Sequence, residues 1–82
     1  MEYGEYKTED FELAIILHYF KKKISSVEGN GQRKTFVFFY DDDIEKIKLD
    51  WINRDLLIEP RAFWQSMKTV KHILYSHDEL IW

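Results

Sequence analysis

The chain contains no cysteine, so neither a disulfide framework nor a thiolate metal site can form, and a reducing, cytoplasmic compartment is the expectation. No apolar run approaches the roughly 20 residues needed to cross a bilayer, so no membrane-spanning helix is expected. The first six residues, Met1 to Tyr6, are acidic and lack an apolar core, which reads as no secretory leader. His77-Asp78-Glu79-Leu80 spells a retention address, but Ile81-Trp82 follow it and such a signal is read only at the extreme C-terminus. Proline occurs once and glycine three times, so there is no low-complexity tract and no flexible linker.

The inventory is equally poor in catalytic signatures. The histidines are His18, His72 and His77, with no His-x-x-x-His pair, and a separation of five does not stack two ligands on one helical face. Ser25, Ser26, Ser66 and Ser76 lie in no Gly-x-Ser-x-Gly turn. Asp41-Asp42-Asp43 lacks the spaced oxygen ligands of a calcium loop and reads as a helix cap. Gly29 and Gly31 have no following lysine-serine and read as a turn, not a phosphate loop. No enzyme, cofactor or metal is therefore expected. The net charge of −3 also lacks the basic excess of a strong general nucleic-acid binder.

What is present is apolar and periodic. The 82 residues are 45% hydrophobic and 17% aromatic, enough for one domain with a single modest core. Charge alternates in blocks: acidic over residues 1–20, basic over 21–34, acidic over 41–59, basic over 60–75 and acidic over 76–82. A first helix is predicted from Thr8 to about Phe20, with Thr8 as cap, Glu9, Asp10 and Glu12 at its positive end, and Lys21–Lys23 closing it. Leu13, Ile16, Leu17 and Phe20 fill one side of that helix. Phe11, Ile15 and Tyr19 form a second apolar stripe, leaving almost no polar face. Residues 23–28 and 33–40 flank Gly29-Asn30-Gly31-Gln32, predicting a β-hairpin whose second strand is apolar on both faces. A second helix is predicted over about Asp42 to Ile52, burying Ile44, Ile47 and Trp51. A short extended link, Leu56-Leu57-Ile58, leads to a third helix from about Pro60 to Ser76. Proline is welcome in the first turn of that helix, and Phe63, Met67, Val70 and Leu74 form its core stripe, with Ile73 beside them. The fold class is α+β, in the order α-β-β-α-α: an antiparallel hairpin packed against three helices, in one domain over residues 1–82.

Tyr6-Lys7-Thr8, Asp10, Leu13-Ala14, Leu17, Phe36-Val37-Phe38, Asn53, Pro60-Arg61-Ala62-Phe63 and Val70-Lys71-His72-Ile73-Leu74 together resemble a family known only as domain of unknown function 5659. The resemblance covers about residues 5–75, leaving 76–82 as a tail. It implies a fold shared with small bacterial and mobile-element proteins and no established activity. Two positions depart from the family's pattern: Lys21 stands where helix one tends to end in glycine, and Phe39 where an acidic residue is expected.

Two surfaces carry the functional expectations. In so small a protein the surplus stripe on helix one points to a protein partner or to self-association, through Phe11, Ile15 and Tyr19 with Phe39 and Trp82. The competing reading is a Leu80-Ile81-Trp82 tail folded over the same stripe. The leading expectation is thus a non-enzymatic interaction module, an adaptor or inhibitor. The alternative is a nucleic-acid-binding accessory protein using Arg61, Trp64, Lys68 and Lys71 on the outer face of helix three, against the plain reading of that face as solvated.

Overall fold

Phe36, Val37 and Phe38 are all buried, and a strand with buried residues on both faces belongs in the centre of its sheet. The computed structural model describes residues 4–30 and 33–79 and places them so. Its elements are β1 (Glu5–Thr8), α1 (Phe11–Tyr19), β2 (Ile24–Asn30), β3 (Arg33–Phe39), α2 (Asp42–Ile52) and α3 (Pro60–Glu79). The strands form one antiparallel sheet in the order β1-β3-β2, with β3 in the middle.

The α+β class and the hairpin stand, but the chain begins with a strand that the sequence reading assigned to no element before Thr8. Tyr6 and Thr8 point inward and alternate with exposed Glu5 and Lys7, a period-two pattern only four residues long. Thr8 is consequently the end of β1 and not the cap of α1. Asp10 is the cap, its carboxylate accepting from the Leu13 amide at 3.1 Å. The Thr8 hydroxyl accepts from the Asp10 amide at 3.0 Å and ties the strand to the cap.

The register sorts the two faces of the sheet. Tyr6, Phe38 and Ile24 lie in one row and Thr8, Phe36 and Val27 in the next, all on the face toward the helices. On the opposite face, Lys7 and Glu28 from the two outer strands meet at 3.3 Å across β3, on the side that carries Val37. The irregularity between Ile24 and Ser26 keeps Ile24 and Val27 on the same face. The hairpin closes on the Asn30–Arg33 pair. Gly29 has φ +96°, and a Cβ there would lie 2.3 Å from the Arg33 carbonyl oxygen, so only glycine fits.

Helix α1 is the axis of the core. Five consecutive residues, Leu13 to Leu17, are buried. At about 100° per residue they cover the full circumference. The inner sheet face, α3 and α2 surround them, with Ile44, Ile47 and Val70 completing the buried cluster. The helix ends in a Schellman arrangement: the Lys21 amide donates to the His18 carbonyl at 2.9 Å and the Lys22 amide to the Leu17 carbonyl at 3.0 Å. Lys21 holds the left-handed position, φ +72°, where glycine is the easier residue.

The other helices follow their periodicity, except that α3 continues past the expected end at Ser76 to Glu79, into the stretch expected as a tail. Asp41 caps α2 through the Ile44 amide, and Asp42, Asp43 and Glu45 sit in its first turn. Glu59 caps α3, its carboxylate accepting from the Arg61 amide at 3.0 Å and the Ala62 amide at 2.8 Å. Phe63, Met67, Val70, Ile73 and Leu74 face the core, as the spacing predicts.

Candidate functional site

The surplus stripe of α1 is largely packed within the chain, with Phe11 and Tyr19 partly exposed. Ile15 is only 3% exposed. Phe11 is half-buried, its ring centroid 6.2 Å from that of Phe36. Tyr19 packs edge-on against Phe20 at 4.9 Å, and its hydroxyl accepts a hydrogen bond from the Glu59 amide at 2.9 Å. These three residues do not form an exposed partner-binding stripe. The helix packs chiefly against α3, whose cap reaches Tyr19, so most of its apolar circumference is covered within the chain. Phe39, at the end of β3 opposite Glu5, is 60% exposed as the sequence suggests, but no exposed stripe on α1 accompanies it. Trp82, and the Leu80-Ile81-Trp82 tail, lie outside the described residues.

Exposed apolar surface occurs instead where α2 ends. A groove of about 610 Å³ is walled by Ile16, Trp51, Leu56 and Phe63 and edged by Ile52 and Ile58, with Glu12 and Arg54 at its rim. Its formation follows from the link. Arg54 turns the chain with φ +63°, its amide donating to the Trp51 carbonyl at 3.2 Å, and the Asp55 amide bonds back to the Asp50 carbonyl at 2.8 Å. Leu56 then packs inward while Leu57 points out, 91% exposed. Ile52 is exposed as well, and so is Leu49 one turn before it. Sequence reasoning placed Leu56-Leu57-Ile58 in an extended link but gave no sign of which would face solvent.

A second cleft, of about 1010 Å³, lies between the end of α1 and α3, lined by His18, Lys21–Lys23, Gln65 and Ser66 among others. Lys22 is held there between Asp41 at 3.0 Å and Asp43 at 3.1 Å. The hydrogen bond it donates to the Asp41 carboxylate is the largest of the effects that raise its pKa. His18 Nδ1 is buried with no hydrogen-bond partner among the described residues. Burial, and then the charge of Lys21, lowers the His18 pKa, favouring a neutral ring.

On α3 the structure keeps the predicted residues together. Arg61, Trp64, Lys68 and Lys71 are all exposed, Lys71 at the flank of the helix where it borders a cleft with Glu9, Phe11 and Phe36. Tyr75, 56% exposed and four residues beyond Lys71, continues the row. The sequence reading passed over Tyr75 although its spacing of eleven from Trp64 returns it to the same side.

Among the described residues no group of three or more histidine, aspartate and glutamate side chains is placed to hold a metal ion. No helix of the described residues is long and apolar enough to cross a membrane. The family described as Domain of unknown function (DUF5659) matches over residues 3–76, and the chain belongs to it. No curated protein and no solved structure matches the chain.

Proposed function

We propose that this member of the family is a small non-enzymatic protein-interaction module whose contact surface is the groove between the end of α2 and the start of α3. The observation that carries the reading is a groove walled by Trp51, Leu56 and Phe63 and edged by exposed Ile52 and Ile58, with exposed Leu57 adjoining it in the chain. An aromatic-walled apolar centre with a polar rim is the usual anatomy of a protein interface. Glu12 and Arg54 at the rim carry opposite charges, which suits an apolar segment of another protein with little net charge. The groove is open, so it suits several side chains of a docked segment better than a small enclosed ligand. Fully burying one large apolar side chain is worth about 1.5–3 kcal/mol, part of which offsets the cost of association.

The experiment is selection of binders from a random peptide library on the wild-type protein, followed by titration of the selected peptides. Apolar peptides are expected to bind the wild type and to lose binding to Ile52→Asp/Leu57→Asp. Both side chains are exposed, so that variant should melt as the wild type does. If no peptide is enriched, or if the double variant binds equally well, the groove is not the contact surface.

A further inference from the structure

On the sheet, on α2 and at Lys22 in the turn before β2, cations meet a partner within the chain, whereas Lys21, Lys23 and Arg54 have no ion pair among the described residues. Lys7 reaches Glu28, Lys22 reaches Asp41 and Asp43, Arg33 reaches Glu9, and Lys46 reaches Asp50. Lys48 sits 5.6 Å above the Tyr6 ring. The cations of α3 differ: among the described residues, no carboxylate pairs with Arg61, Lys68 or Lys71, and from Pro60 to Ser76 the helix contains no acidic residue.

Exposed rings flank the two lysines. Trp64, Lys68, Lys71 and Tyr75 follow at spacings of four, three and four, which confines them to a strip about 60° wide with Arg61 at its edge. Trp64 is 54% exposed, and a recess of about 450 Å³ beside it is lined by Pro60, Arg61 and Gln65. The distance along the axis from Trp64 to Tyr75 is about 16 Å at the helical rise, the length of about five nucleotides at the ~3.4 Å spacing of a stacked strand.

We infer that this strip is a platform for single-stranded nucleic acid, with Arg61, Lys68 and Lys71 on the phosphates, and Trp64 and Tyr75 stacking on bases. A base stacked on Trp64 would occupy the recess with the Gln65 amide within its walls. The rings favour a single strand over a duplex, whose base faces are hidden. The neighbours Gln65, Thr69 and His72 are polar, so the face lacks the aliphatic side an interfacial membrane helix inserts. An acidic peptide would satisfy the cations but leave the rings and the recess without a flat partner. The platform does not involve the α2–α3 groove and stands independently of its occupant.

The test is fluorescence anisotropy of labelled ten-nucleotide dT and rU oligomers on the full chain, between 50 and 200 mM salt. Three phosphate contacts at about 0.7 each in the logarithmic slope predict about a 20-fold loss of affinity over that range. Lys68→Gln/Lys71→Gln should cut the slope to about a third. Trp64→Ala should weaken binding about 5- to 150-fold with the slope unchanged. All three side chains are exposed, so unchanged melting is expected for both variants, whereas Ile52→Asp should bind the oligomers normally. Binding of either oligomer in this pattern supports the platform. No binding of either at 50 mM salt, or a slope the lysine variant does not move, overturns it. So does equal or tighter binding to anionic vesicles or to polyglutamate.

Discussion

The hydroxyl of Tyr19, at the end of α1, accepts a hydrogen bond from the backbone amide of Glu59 at 2.9 Å. Glu59 is the residue whose carboxylate caps α3. One side chain thus fixes where the longest helix begins relative to the core helix, across forty residues of sequence. Tyr19→Phe keeps the ring packed on Phe20 and removes only this bond. A net loss of about 0.5–1.5 kcal/mol is expected, or roughly 4–8 °C per kcal/mol in Tm for a domain of this size. Thermal and urea denaturation measure it. An unchanged Tm would show that the bond adds nothing beyond what water supplies.

Ile15 gives the sharpest contrast between a surface role and a core role. On a partner-binding stripe, Ile15→Asp would leave the fold intact. At 3% exposure, inside a run of five buried residues, an unpaired carboxylate instead meets the full cost of burial. The variant is expected to be unfolded at room temperature by circular dichroism, and Ile15→Ala to lose about 2–5 kcal/mol. A folded Ile15→Asp protein would place this side chain on the surface after all.

That reversal comes from packing that spacing alone does not give, above all α3 laid along α1, together with the unread strand β1. The stripes of α2 and α3 repeat over two turns or more, so Ile44, Ile47 and Trp51, and Phe63, Met67, Val70 and Leu74, were readable from spacing alone. The strand Glu5–Thr8 offers only two inward positions, Tyr6 and Thr8, and its acidic surroundings resemble the start of a helix. Without it the sheet is one strand too narrow, and without the docking of α3 along α1 the helix looks too apolar for its own chain to cover. The α2–α3 groove was hidden for a different reason. Leu56 and Leu57 are chemically the same, and only the backbone path after Arg54 turns one inward and the other out. The outer face of α3 was readable because cations at helical spacing need no tertiary information to share a side.

Lys21 occupies a backbone position that penalises any residue with a Cβ. Its φ of +72° lies in the left-handed region, which costs about 1–2 kcal/mol for ordinary residues. Glycine would remove that cost but lose more entropy on folding. Lys21→Gly is expected to stabilise the protein by about 0.5–1 kcal/mol, read as a higher urea midpoint at unchanged m value. A destabilised variant would mean that the lysine side chain contributes more than its backbone strain removes.

The same turn sets the behaviour of His18, whose ring is partly buried next to Lys21 with Nδ1 unpartnered among the described residues. Both burial and the lysine charge lower its pKa in the folded chain, whereas the unfolded chain titrates near about 6.5. Between those two values the unfolded state binds the extra proton. The stability contributed by a neutral His18 is therefore fully present above the unfolded value and falls as pH drops through it toward the folded value. Urea denaturation of wild type and His18→Gln from pH 8 to pH 5 isolates the effect from the other histidines. The wild type should lose stability with acid more steeply than the variant, and Lys21→Gly should reduce the difference by removing one of the two causes. Parallel pH profiles for wild type and His18→Gln would show that the ring takes up its proton as readily folded as unfolded.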